Sequence, residues 1–442
     1  MRSPNQMRHT TTVSRRTIAK GMAVAPLLLA ARAPAPSGAQ EPAAVTFWQF
    51  STEPFVIEAY EAAIAEFQSQ NPDVTVNMEI VPWADQQQKL TTGLTTGALP
   101  DVSMLGNNVV AQFQALGALE PLTTYFAQWS EEIGRDITED IWPGDALYYN
   151  LEGDWWGSPV AEETRVLYYR RDLLEQAGVG SAAPDTWEQA RDFAVATTKD
   201  GVYGFGIPGG IEYSTIQTFM SVYLAYGARF LNDEGRCGFD SPEFREALGY
   251  YAGLYSEQKV SPPDTPTYGN EQLQEIFNQG KMAMFIEGPG YYRALLEAEP
   301  EWLEQVGLAY VPQGPAGRFG FLGGWPLVLW KSSENKDAAF KWIRFATDPD
   351  GYLAQLAAAS SLLPGRRSLA GGEPWNTEPW NVFAEQLEFA YPYQYPDPEI
   401  PQMGALEVDA VQTAVQSVML GEATVDEATV ALCDRINAVL TR

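Results

Sequence analysis

The chain has 442 residues, 45% hydrophobic and 19% charged, which exceeds one ordinary core and implies a soluble globular protein of two lobes. Its formal net charge of -29 repels phosphate backbones and anionic lipid, so nucleic acid and charged membrane surfaces are excluded as partners. Two cysteines, Cys237 and Cys433, are too few for a closed zinc site and leave open either a disulfide or two buried thiols.

In chain order, residues 1–39 carry basic residues and no acidic ones, so the remainder is more acidic still. Arg15 and Arg16, followed by Ile18 and Lys20, resemble a twin-arginine export signal. The apolar run 22–31 is too short to span a bilayer core of about 30 Å as a helix, and Ser37 and Ala39 put small residues before a cleavage site at Gln40. No cysteine lies beside that site, so a lipid anchor is not supported. An extracytoplasmic (periplasmic) protein is expected.

The stretch 45–50 is a short β-prone run. Ile57, Tyr60, Ile64 and Phe67 then recur on one helical face, bounded by Pro54 and by Asn71 and Pro72. A strand over 74–80, a helix over 83–96 and a strand over 99–105 follow, the alternation that builds a parallel sheet covered on both faces. Further on, helices are expected over 185–198, 242–255, 270–279 and 336–347, strands over 205–207 and 282–286, and two helices within 408–440 parted by 421–426. Such sheets bind ligands at their strands' carboxyl ends, and a cleft between two lobes is a preferred small-molecule site.

The only histidine, His9, lies in the export segment, which removes Ser-His-Asp and Cys-His catalysis and His-ligated zinc. Three short motif matches do not survive their context. Gly204, Gly206 and Gly209 fit a dinucleotide loop, but Pro208 interrupts it; Ser333 and Lys336 fit an acyl-transfer pair but open an amphipathic helix; Asp348, Asp350 and Gly351 lack the later ligands of a calcium loop. A glycosidase needs only two carboxylates and stays open as an alternative, although the neighbours Glu162 and Glu163 would point to opposite sides of an extended strand. No cofactor or metal is expected.

A series of weak motifs in a fixed order runs through the rest of the chain. They are Phe47 with Trp48, Leu99 to Val102, Trp156 to Pro159, Leu167 to Leu174 with Ala177 and Gly178, Gly280 to Phe285, Gly288 with Pro289, Gly323 with Gly324, and Gly421 with Glu422 before a final helix. Together they resemble the maltose-binding-protein-like extracellular solute-binding proteins, family 1, that serve ABC importers. The resemblance implies an α/β, two-lobed periplasmic-binding-protein fold of type II, each lobe a sheet flanked by helices, with the ligand cleft at the hinge. It implies lobe one over 40–161 and 312–360, lobe two over 162–311 and 361–442, and hinge strands near Ala161 and Val311. It also implies ABC permease subunits as partners and closure of the lobes on the ligand, with no chemistry performed; a monomer is expected.

A pyranose offers an apolar C–H face and a rim of hydroxyls, so it needs a flat aromatic surface beside groups that donate and accept. Aromatic residues make up 12% of this chain, and Trp48, Trp83, Trp155, Trp156, Tyr291, Trp325, Trp375 and Trp380 fall in expected loops, which makes a mono- or oligosaccharide the favoured cargo. Family positions assign Trp48, Glu53, Asn107, Asn108, Glu163, Tyr291, Gly324 and Trp325 to the site, with Tyr291 standing in for a tryptophan that usually follows the Gly-Pro motif; of the neighbours Trp155 and Trp156 at most one faces the cleft, and Trp156 joins the set. Arg366 and Arg367 form the one cationic cluster in an expected cleft loop, so Arg366 joins the set, and a uronate or glycerol-phosphate-like polyol is the competing cargo.

Overall fold

The computed structural model describes residues 42–406 and 409–441; the export signal expected over 1–39 lies outside them. β1 (Ala43–Gln49), β2 (Val74–Ile80) and β3 (Val102–Met104) form where the β-branched runs place them. The helices Pro54–Gln70 and Trp83–Thr96 connect them, and β1 pairs in parallel with both β2 and β3. Gly97, in the left-handed conformation, ends the second helix, a conformation that costs glycine least. A short hairpin, β4 (Asn150–Leu151) with β5 (Asp154–Trp155), precedes β6 (Ser158–Thr164).

A second sheet follows from β7 (Val166–Arg170), β8 (Tyr203–Gly206), β9 (Met282–Glu287) and β10 (Val306–Ala309), ordered β10-β7-β9-β8. The chain then returns through β11 (Gly320–Leu329), β12 (Leu363–Pro364) and β13 (Ala390–Tyr391). The first sheet reads β12-β6-β11-β3-β1-β2, with β13 also paired to β11. Each sheet with its helices is one lobe of a mixed α/β fold. Thr164 ends a strand of the first sheet and Val166 opens a strand of the second, so Arg165 alone separates them.

Both lobes are packed by aromatic cores. In the first, Phe47 of β1 lies 5.5 Å from Tyr60 and 5.6 Å from Trp342, tying the sheet to the helices Pro54–Gln70 and Lys336–Thr347. In the second, every residue of β7 and β9 is buried, as expected for strands covered on both faces. The helix Tyr213–Ala225 gave no periodic signal in the sequence because it is buried on nearly every side, around Phe219 and Tyr223.

Cys237 and Cys433, whose pairing the sequence leaves open, form a disulfide across 196 residues of chain. It pins the C-terminal helix Val425–Leu440 to the 231–237 turn, where Cys237 N–H also donates to Asn437 Oδ1 at 2.9 Å. Both half-cystines are buried. The denatured, unreduced protein is therefore expected to show no free thiol by colorimetric titration. Cys433→Ala is expected to cost about 2–5 kcal/mol in urea unfolding; two reactive thiols in the oxidised protein would contradict the bridge.

Candidate functional site

Between the lobes lie two adjoining cavities, an inner one of about 220 Å³ and an outer one of about 330 Å³, which share Trp83 and Trp325 in their walls. Much of their lining follows the carboxyl ends of parallel strands in both sheets, the edge at which open α/β sheets bind ligand, and the antiparallel strands β6 and β11 add Glu163, Gly323, Gly324 and Trp325. From the first lobe come Ser51 and Glu53 after β1, Trp83 after β2, and Asn107 and Asn108 after β3. From the second come Tyr213 and Gln217 after β8, and Gly290, Arg293 and Glu297 after β9. Hollows of about 650 and 670 Å³ also flank the helix Lys336–Thr347, but each is lined by the first lobe alone. We take the cleft as the site because polar and aromatic groups from two bodies converge there.

Local backbone geometry aims each group. β11 is buried at both ends and half-exposed only at Gly324 and Trp325, beside a register shift against β6 between Trp325 and Pro326. Such a bulge re-aims side chains next to functional sites, and here it presents the Trp325 indole to both cavities. Side chains larger than hydrogen have no room beneath it: a Cβ on Gly324 would overlap Glu162 Oε2, and one on Gly323 would sit 2.8 Å from Glu163 Cγ. In β6 the alternation separates the adjacent acids as expected, burying Glu162 and leaving Glu163 half-exposed in the inner cavity. On the buried helix Tyr213–Ala225, Tyr213 and Gln217 are one turn apart and share the face on the inner cavity. On the helix Pro289–Ala298, Gly290, Arg293, Ala294 and Glu297 recur at helical spacing along the outer cavity.

Trp83 and Trp325 stand 5.6 Å apart at 50°, forming a tilted aromatic wall between the two compartments. Trp83 remains 37% exposed, enough to offer a ring to a ligand. At the inner floor Asn107 Nδ2 donates to Leu322 O at 3.4 Å, while Glu163 pairs with Arg165 at 3.1 Å. At the outer rim Arg293 crosses the cleft: it donates to Ser361 Oγ at 2.6 Å, lies 4.9 Å over the Phe55 ring, and pairs with Glu297 at 3.0 Å.

Six of the ten expected site residues line these cavities: Glu53, Asn107, Asn108, Glu163, Gly324 and Trp325. Four do not. Trp48 is only 8% exposed and lies under the Lys89 ammonium, 4.5 Å from its ring centre. Trp156 donates its indole N–H to Leu151 O and packs against the first-lobe core. Tyr291 is one position off the cavity face of its helix, so it turns into the second lobe and donates to Asn278 Oδ1.

Arg366 is the clearest correction. β12 pairs with β6, and that pairing draws Arg366 beneath the first sheet, fully buried, where it donates to Thr347 O, Ile137 O and Ser158 Oγ. Its neighbour Arg367 pairs with Glu388. Tyr213 and Gln217 on the buried helix, Arg293 on Pro289–Ala298 and Tyr393 in a turn carry no sequence signal, since a lone polar residue points to a site only once the opposite lobe is in place.

Behind the inner cavity, Asp145 and Glu162 form a fully buried carboxyl pair beside Tyr149 and Arg366. Burial pushes both carboxyls well above the ordinary carboxylate range; the Asp145 and Glu163 charges add to the rise at Glu162, and the Arg366 cation offsets only part of it at Asp145.

A family model described as "Bacterial extracellular solute-binding protein" matches residues 56–352. Among solved structures, the sugar-binding protein MalE from the phytopathogen Xanthomonas citri is 28% identical, with a TM-score of 0.78 over 90% of this chain and 97% of that one. An ABC-transporter solute-binding protein from Thermotoga lettingae, bound with α-D-tagatose, is 27% identical with a TM-score of 0.73, covering 90% and 100% of the two chains. A mannitol-binding protein from Pseudomonas aeruginosa is 24% identical over 317 residues, 70% of this chain and 71% of that protein.

The buried acid pair has a measurable consequence. With folded-state values raised, the native protein keeps protons that the unfolded chain releases above about pH 4. Stability then falls as pH rises from there through neutrality, by about 1.4 kcal/mol per pH unit for each proton so held. Asp145→Asn is expected to flatten this slope and to raise Tm at about pH 8 relative to wild type. Urea unfolding at several pH values checks it, and parallel wild-type and variant profiles would count against the raised pair.

Proposed function

We propose that this chain, a member of the bacterial extracellular solute-binding protein family, captures a neutral sugar or polyol outside the cytoplasm, after twin-arginine export, and hands it to the permease of an ABC importer. The observation that carries this reading is the Trp83–Trp325 wall, with Glu53, Asn107, Asn108, Glu163 and Gln217 around it. Rings supply the surface for a C–H face, and carboxylates and amides supply both acceptors and donors for hydroxyls. The relatives named above, with tagatose and mannitol among their ligands, have cargoes of this chemistry.

An anionic cargo is not favoured. Its sequence basis was the Arg366 and Arg367 cluster; Arg366 is buried and Arg367 pairs with Glu388, while Arg165 and Arg293 are already paired with Glu163 and Glu297. Nor do we read the cleft as a hydrolase site. Of the neighbouring acids Glu162 and Glu163, the first is sealed from solvent and the second is paired with Arg165, whereas a glycosidase pair must flank its substrate. Ligand binding instead favours the closed arrangement by its greater affinity for it, and the lobes swing about the crossing segments.

Intrinsic tryptophan fluorescence of the mature protein, titrated with D-mannitol, D-tagatose, maltose, D-glucuronate and glycerol 3-phosphate, tests the reading. A saturable response to a neutral member, at about micromolar affinity, is expected. Trp325→Ala should weaken that ligand tenfold or more, equivalent to about 1.4 kcal/mol, whereas Trp325→Phe keeps most of the affinity. A response confined to the two anions, or silence across the panel in calorimetry as well, would overturn it.

A further inference from the structure

We infer that Arg165 is a positioning residue that holds both walls of the inner cavity together and biases the empty protein toward its closed form. Arg165 is the single residue between β6 of the first sheet and β7 of the second. Its guanidinium donates to Glu163 Oε2 at 3.1 Å, on the first-sheet strand, and to Gln217 Oε1 at 2.9 Å, on a helix of the second lobe. The same group packs on Gly288, where any Cβ would collide with Nη1, and lies 5.3 Å from the Phe321 ring at the start of the returning strand. Its side chain is 11% exposed.

A planar fork makes two directed bonds only when both acceptors lie at fixed angles and distances. Glu163 and Gln217 meet that requirement together only in one relative placement of the lobes. Both acceptors also line the inner cavity. Arg165 therefore fixes the two ligand-facing groups and the interlobe angle with the same pair of hydrogen bonds. The position favours this role over a general packing one: rotation about the crossing segment moves Gln217 relative to Glu163 and cannot spare the fork. The ligand side of the inference rests on reading the cleft as the solute site; the conformational side does not.

The test begins without ligand. Spin labels on Thr96→Cys and Glu275→Cys, one exposed position in each lobe, report the interlobe distance, and the paired native cysteines leave no competing thiol. Arg165→Gln should shift the distance distribution outward by about 2 Å or more, with Arg165→Lys intermediate because it keeps the charge and loses the fork. Gln217→Ala, which leaves the hinge residue in place, should shift it the same way and covers the case in which Arg165→Gln does not fold. Calorimetry with D-mannitol and D-tagatose on the same variants should show about a tenfold or greater loss for the sugar that binds wild type. A lower Tm with an unmoved distance distribution in Arg165→Lys and Gln217→Ala would overturn the inference. An outward shift in the variants, with no sugar bound by wild type, would uphold the pin and remove the sugar reading.

Discussion

The geometry depends on the crossing of one extended segment between two sheets. Residues 158–170 supply β6 and β7 with a single residue between them, and β11 returns the chain beside β6 through an antiparallel pairing. At that point the chain passes from one sheet to the other with no intervening loop. The parallel strands of both sheets then end at the same cleft, so the groups that follow them face one another. Ser51, Trp83 and Asn108 on one side and Tyr213 and Arg293 on the other are distant in sequence and share a site for this reason.

That arrangement carries a cost at its centre. Glu162 must leave the cavity if Glu163 is to enter it, since neighbours on a strand face opposite ways. It is buried against Asp145 and beneath Gly324, and burial holds both acids in their protonated range. Unpaired carboxylates in a dry interior cost several kcal/mol each, and protonation removes most of that penalty. The strand edge tolerates this because Gly323 and Gly324 give room where a side chain would collide, and the bulge after Trp325 turns the indole outward. A destabilised pair directly behind a binding surface fits the general observation that strain and buried polarity gather at functional sites.

Much of the fold was legible because its elements are long and periodic. The helix over 83–96 and the strand over 74–80 fall where apolar spacing places them. The helix Tyr213–Ala225 was silent, since a helix buried all round has no polar face to set its phase. The lining of the candidate cleft was legible where a residue follows a strand directly, as Asn107, Asn108 and Glu53 do. It failed where one residue of offset decides direction. Tyr291 lies beside Gly290 in sequence but about 100° round the same helix, off the cavity face. Arg366 lies beside Arg367, yet the β12–β6 pairing buries one and leaves the other at the surface with Glu388. Cross-strand and cross-lobe partners are three-dimensional facts, and no local pattern encodes them.

Charge completes the account of selectivity. The protein is strongly acidic, at -29, and the two cations at the cleft are already engaged, Arg165 with Glu163 and Arg293 with Glu297. An approaching anion meets a repulsive field at range and paired guanidinium groups at contact. A neutral polyhydroxy ligand meets neither, and it gains nothing from long-range steering. On the proposed reading, its discrimination comes from contact alone, from hydroxyls placed against Glu163, Gln217 and the asparagines. Buried polar groups left without partners penalise the wrong ligand more than extra contacts reward the right one. On the proposed reading, selectivity in this cleft depends on how rigidly its polar groups are held, and the arginine of the crossing segment holds two of them, Glu163 and Gln217, beside the aromatic wall.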